Sequence, residues 1–343
     1  MRVAELYQPR RFRLIEAVPA EPGPGEIQVK VGAVGICGSD LHYFSEGSIG
    51  DTPCTYPMVL GHEPAGTVAR TGPGVSGWSV GDRAALEPAI YCYHCEFCLT
   101  GHHNVCSNLR FLSMPQDPGF FRETVNLPAA NLLPLPAVLS LEEGTLFEPL
   151  AVALHSMQFA AIRLGESVVV FGAGPIGLLT IAVLRLSGAG RIWSVEPVAA
   201  RRELALKMGA DAAIDPVAAD PVRELLRETG GRGVDAAIDC ATRGDSLSQG
   251  IRATRNAGRL VITGIPSAAR VALDFHTMRR KELAVLNVRR SNHESEAALK
   301  LLRDRRSLFA PLLTHTLPLD RIGSAFEMLE RYGDGAGKVV IKP

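Results

Sequence analysis

Residues 27–31, Ile-Gln-Val-Lys-Val, alternate apolar and polar with period two, the mark of a strand buried on one face. Pro22-Gly23-Pro24-Gly25 just before them is a turn signal. Short apolar runs broken by Gly and Pro continue to about Pro136, which predicts a β-rich first region. From about Leu141 the texture changes to alternating strand and helix. Residues 167–171 (Ser-Val-Val-Val-Phe) read as a short buried strand and 175–187 as a helix. Proline stands at that helix's first turn, where a missing N–H costs little. A second strand is predicted over 191–196 and a second helix over 199–208. Later strands fall at 234–239, 260–263 and 283–288. Strands alternating with helices imply a doubly wound parallel sheet. Two helices follow, at about 294–305 and 319–330, then a terminal strand at 338–341. No further strand–helix period follows 288, so the tail is expected to rejoin the first region. The predicted organisation is an α/β chain of two domains, 1–149 with 289–343 and 150–288.

Bulk properties narrow the function classes. Lys+Arg and Asp+Glu both number 36, so net charge is zero, and no basic run or face is evident. That argues against nucleic acid as a main partner. No apolar stretch approaches membrane-spanning length. The 34 glycines and 23 prolines are spread along the chain, as in a turn-rich enzyme. The first residues, MRVAELYQPRRFRLIEAV, lack the apolar segment of a secretory leader. With reduced cysteines, this points to the cytoplasm.

Chemistry concentrates in three places. Cys92, Cys95, Cys98 and Cys106 are spaced C-x2-C-x2-C-x7-C, and the chain has only 7 cysteines in all. Four thiolates on one short lobe can close a tetrahedral shell around zinc, with no open position for chemistry. A disulfide framework suits small secreted domains, and a thioredoxin-like motif needs one C-x-x-C opening a helix. Neither describes this lobe. Second, Gly172-Ala173-Gly174-Pro175-Ile176-Gly177 is G-x-G-x-x-G between a predicted strand and helix. Its glycines suit a tight turn, close approach to a pyrophosphate, and helix–strand packing, with the phosphates at the helix N-terminus. Glu196 ends the next strand, where an acid binds the adenosine ribose hydroxyls. A carboxylate there repels a 2′-phosphate and favours NAD over NADP. Arg201 and Arg202 bear on the choice, since arginine can accommodate that phosphate or lie over adenine. Third, Cys37, His62 and a carboxylate from Glu63 or Glu148 are proper ligands for a zinc that keeps one position open.

These pieces together carry a resemblance. GICGSDLHY, MVLGHEPAGTV, VGDRAALEP, the four-cysteine lobe, EPLAVALH and VFGAGPIGLL occur in this order over nearly the whole length. The chain resembles the zinc-dependent medium-chain dehydrogenases, and among them the polyol (sorbitol-type) enzymes. The resemblance implies a GroES-like β-rich catalytic domain plus a Rossmann domain, one catalytic and one structural zinc, and NAD. It implies Cys37, His62 and Glu63 as catalytic-zinc ligands, with Glu148 bordering the metal or entering its shell. No second cysteine stands where the alcohol dehydrogenases proper have one, which favours the Cys/His/Glu set. Ser39 and His42 match the family's proton relay, carrying the alcohol proton toward solvent while hydride passes to the nicotinamide. Tyr43 and Phe111 match pocket-lining positions. Met114 replaces an expected hydroxyl residue, and Arg289-Arg290 stands where the family has Arg-Tyr. A second arginine can pair a carboxylate, so a sugar acid is an alternative to a neutral polyol. Threonine or glucose dehydrogenase types are further alternatives. A nucleotide- or thiol-sensing protein on the same scaffold is the non-enzyme alternative, disfavoured by retention of the full ligand and relay set. Relatives of this kind are homotetramers or dimers, so a homo-oligomer is expected.

Overall fold

The computed structural model describes all residues, Met1–Pro343. The chain divides into two compact units: Met1–Glu148 with Ser295–Arg306 and Leu313–Pro343, and Pro149–Glu294 with Ser307–Leu312. The crossing falls later than the expected return at 289. Val288 N still bonds Ile262 O, and Glu294 still bonds His155, so 289–294 stay with the second unit. Ser295, where the chain returns to the first unit, donates its Oγ–H to Glu87 of that unit.

The first unit is built on a seven-stranded sheet. The long strand Glu26–Gly35, which contains the predicted period-two segment, lies at its centre. Glu63–Thr71 pairs along one edge. The other edge is shared: Thr124–Pro128 runs along its first half, and Lys338–Lys342 meets it at Val34 and Gly35. The carboxy-terminal strand therefore lies beside the segment that leads into Cys37. Below the sheet, Phe44, Phe120, Phe121, Leu60 and Phe326 pack into one core. One helix here was hidden in the pattern. Gly38–Glu46 buries Asp40, His42, Tyr43 and Phe44, a run of neighbours and not a stripe, because it is enclosed on more than one side.

The second unit is a six-stranded parallel sheet. Its order is Ala212–Ile214, Arg191–Val195, Ser167–Phe171, Val234–Asp239, Thr254–Ile262, Ala284–Asn287. In chain order this is 3-2-1-4-5-6, the dinucleotide-binding arrangement. The order reverses between Ser167–Phe171 and Val234–Asp239, so ligands are expected past the carboxyl ends of those two strands. The predicted strand at 260–263 begins earlier, at Thr254. Its first half bends at Ala257, whose φ is 51°, and pairing shifts register there, which broke the apolar run.

Asp235 fastens this sheet from its amino end. Its carboxylate accepts from Ser167 N and Oγ, Arg232 and Arg255. Burial pushes its pKa up, but the bonds from Arg232, Arg255 and Ser167 outweigh burial and hold it well below the usual carboxylate range. Asp235→Ala removes the acceptor shared by Ser167, Arg232 and Arg255 and should lower stability by about 2–4 kcal/mol, read as a shift in denaturation midpoint. A depressed folded pKa means the carboxylate stabilises above its unfolded value near 3.9 and ceases to as pH falls through the folded one. The wild-type–variant gap should therefore narrow only in strong acid. A gap that closes between pH 5 and 7 would contradict this.

No helix is long and apolar enough to cross a membrane.

Candidate active site

The first unit gathers its chemistry around Asp40. Cys37 is the N-cap of helix Gly38–Glu46, in extended conformation. Asp40 Oδ2 accepts from Cys37 N at 3.1 Å, while Oδ1 accepts from Gly61 N at 3.2 Å and Ser113 Oγ at 3.0 Å. One fully buried carboxylate thus ties three loops. His62 Nδ1 lies 3.3 Å from Asp40 Oδ1 but off the line of a good hydrogen bond. Burial opposes charge on both partners. The His62 charge and the Cys37 and Gly61 amides nevertheless hold the Asp40 pKa below its usual value. Asp40 and Cys37 raise that of His62 well above its own.

Glu63 opens the strand Glu63–Thr71 opposite Gly35. A Cβ on Gly35 would lie 2.1 Å from Glu63 Oε2, so this carboxylate reaches its place only beside glycine. Both its oxygens accept from Lys338 Nζ, at 2.7 and 2.6 Å, and the same ammonium bonds Ile36 O at 3.0 Å. Lys338 is 1% exposed. Burial works against its charge, and Glu63 more than restores it. Cys37 Sγ, a His62 ring nitrogen and a Glu63 oxygen lie within 4.8 Å of one another. Glu148 is outside that set. It sits in the first turn of helix Phe147–Ala160, buried, with its pKa pushed up to about 7 by burial and by Glu63 and Glu87.

Sulfur, imidazole and carboxylate in one pocket whose field favours cationic forms of His62 and Lys338 suit a divalent metal, which would take the place of a proton on His62. Ser39 Oγ lies 3.4 Å from His62 Nε2. His42, one turn on along the same helix, is buried with Nδ1 3.3 Å from the half-exposed Glu46. The predicted pocket residues also converge: Tyr43 donates its O–H to Met114 Sδ at 3.6 Å, and the Phe111 ring stands 5.4 Å from that of His62. Arg289 and Arg290 belong to the second unit.

The four-cysteine lobe is compact and carries no disulfide. Its sulfurs stand 3.4 Å (Cys92–Cys106) and 3.9 Å (Cys92–Cys98, Cys95–Cys106) apart. A tetrahedral zinc with Zn–S near 2.3 Å needs S···S separations of about 3.8 Å. The backbone N–H groups of His94 and Cys95, with Asn108, draw the Cys92 pKa down to about 5, toward the thiolate a metal requires.

In the second unit, Gly172 has φ 87°, and a Cβ on Gly177 would meet Gly172 O at 1.9 Å. Those two glycines answer to the protein's own packing. A Cβ on Gly174 would meet nothing within 4 Å, and its backbone is ordinary extended chain. Glycine there leaves room for a ligand. Gly174 caps helix Pro175–Leu186 without a side-chain bond, and Pro175 and Ile176 form its first turn. Glu196 is 4% exposed; Oε2 accepts from Ala173 N at 2.7 Å and Oε1 from Val198 N at 2.9 Å. Arg201 lies in the first turn of the next helix, Ala199–Lys207. Across the switch point, buried Asp239 accepts from Ala241 N, Thr242 N and Ser246 Oγ.

Three residues escaped the reading of the sequence. Asp40 lies inside GICGSDLHY, where nothing local distinguishes it from a surface acid. Asp239 follows a featureless run. Lys338 opens the strand Lys338–Lys342 directly before the apolar run Val339-Val340-Ile341, and a buried lysine at such a position calls for a buried acid.

The alcohol dehydrogenase GroES-like domain matches residues 23–137, and the zinc-binding dehydrogenase domain matches 175–304. A sorbitol dehydrogenase of Bacillus subtilis is 32% identical, covering 100% of this chain and 97% of its own. An L-threonine 3-dehydrogenase of Pyrococcus abyssi is 37% identical over 95% of this chain and 94% of its own. A solved zinc-binding dehydrogenase of Sinorhizobium meliloti, bound to NADP, superposes with a TM-score of 0.89 at 31% identity, covering 100% and 99%. The chain belongs to the zinc-dependent medium-chain alcohol dehydrogenase family, of sorbitol dehydrogenase type. It is an enzyme acting on CH–OH donors, with zinc and a nicotinamide dinucleotide as cofactors.

Proposed function

We propose that the enzyme oxidises a secondary alcohol of a polyol or sugar-derived substrate to a ketone, with NAD receiving the hydride. The observation that carries this is the Cys37, His62 and Glu63 cluster beside the wall of Tyr43, Met114 and Phe111. Zinc, when bound, supplies a Lewis acid that lowers the pKa of the substrate hydroxyl. Cys37, His62 and Glu63 hold it; Asp40 orients His62 and Lys338 orients Glu63. Glu148 borders the pocket. Ser39 Oγ accepts the hydroxyl proton as it releases its own to the relay, and His42 completes that relay outward toward Glu46. Cys92, Cys95, Cys98 and Cys106 hold the structural zinc. Gly172, Gly174, Pro175, Ile176 and Gly177 receive the pyrophosphate, while Glu196 and Arg201 address the adenosine end. On this reading the unit of Met1–Glu148, Ser295–Arg306 and Leu313–Pro343 is the catalytic domain, and the unit of Pro149–Glu294 with Ser307–Leu312 is the NAD domain.

A second reading has two specific supports. The threonine dehydrogenase relative and the Arg289-Arg290 pair both suit a substrate bearing a carboxylate. A panel of polyols, aldonates and L-threonine separates the two. We expect kcat/KM on a polyol to exceed that on any carboxylate substrate by at least about tenfold. The reverse order would replace the first reading with the second. The unit is proposed to work as a homotetramer or dimer in the cytoplasm, the compartment that keeps its seven cysteines reduced.

A further inference from the structure

The acid that favours NAD is followed by two arginines, and relatives of this fold include one bound to NADP. Arg202 is the informative member of the pair. Its NH1 donates to Glu196 O at 2.8 Å and Pro197 O at 2.7 Å, and its NH2 pairs with Asp215 Oδ2 at 2.9 Å. Three of the five guanidinium donors are therefore taken. One acceptor is the backbone carbonyl of the very acid expected to receive the ribose and another that of the next residue, so the guanidinium is held next to the adenosine end of the site. Asp215 is itself fixed: it follows the strand Ala212–Ile214, and its Oδ1 accepts from Val217 N at 3.0 Å. Its carbonyl also caps the turn at Ala218 and Ala219.

We propose that Asp215 is a specificity-determining positioning residue: it holds Arg202 in a bonded latch that keeps its guanidinium from a 2′-phosphate. Resting on the proposal that NAD is the cofactor, this assigns the discrimination to two devices. Glu196 repels the phosphate, and Asp215 occupies and neutralises a nearby cation, Arg202. Removing the Asp215 charge adds one net positive charge beside the ribose and returns a fork of donors suited to phosphate.

The test is equilibrium binding, not turnover. NAD and NADP are titrated calorimetrically into the full-length wild type, Asp215→Asn, Arg202→Ala and the double variant. Asparagine keeps an oxygen for Val217 N, so the turn is retained. The Kd ratio should move toward NADP by at least tenfold in Asp215→Asn. The double variant should lose that gain. Arg202→Ala alone should leave the ratio within about threefold of wild type, because the latched guanidinium serves neither cofactor. Equal weakening of both nucleotides in Asp215→Asn, or an unmoved ratio, overturns the latch while leaving the NAD reading intact. Selective loss of NADP in Arg202→Ala also overturns it, and needs no folded Asp215 variant. A wild type that prefers NADP defeats the NAD reading itself, and the latch with it.

Discussion

Cys37→Ser should cost on the order of 10³-fold or more in kcat/KM and leave one zinc per chain where the wild type holds two. Serine is a poor zinc ligand at neutral pH, and the remaining His62 and Glu63 cannot keep the metal at working concentration. A 10³-fold loss corresponds to roughly 4 kcal/mol of transition-state stabilisation, within what a Lewis acid on the reacting oxygen supplies. The change should be confined to chemistry. Cys37 is half-buried at a helix N-cap, and the Asp40 bond to its backbone N–H does not need the thiol. Melting temperature should therefore stay within a few degrees of wild type. Nucleotide binding, which belongs to the second unit, should be unchanged. Retained turnover in the variant, or loss of both zincs together, would contradict the assignment.

Lys338→Met has the opposite character: a large loss of stability from a residue outside every recognised motif. Its ammonium donates to both Glu63 oxygens and also satisfies Ile36 O. Burying such a pair gains little over apolar residues, but removing one member leaves an uncompensated charge in the zinc-free protein, where the melting is measured. That costs about 3–5 kcal/mol, and for a unit of this size a drop in Tm on the order of 10 °C. Glu63→Gln in the same background removes the orphaned charge and should restore most of the stability, though not the activity. A double variant no more stable than Lys338→Met would show that the pair is not the cause.

The contrast between these residues explains how much was legible beforehand. Cys37, His62, Ser39 and His42 sit in two short segments whose residue types imply their chemistry. The four cysteines fall within one lobe, and the Gly172–Gly177 turn follows the strand it needs. The period-two and strand–helix textures placed most of the sheets for the same reason: each is a local signal. What stayed hidden depends on contacts far apart in sequence. The Glu63 partner is 275 residues away, on a strand that meets Glu26–Gly35 only at its carboxyl end. Asp40 works through Gly61 and Ser113, which only the fold brings to it. The helix Gly38–Glu46 was masked because burial on several sides erased its stripe. The clustering of Glu63 with Cys37 and His62, with Glu148 set apart, is likewise a matter of tertiary distance.

The most direct test of the central claim is anomalous diffraction at the zinc edge from crystals grown with zinc. Two peaks per chain are predicted. One lies among the sulfurs of Cys92, Cys95, Cys98 and Cys106, and the other among Cys37, His62 and Glu63. A single peak at the four-cysteine lobe, with the second cluster unmetallated, would contradict it.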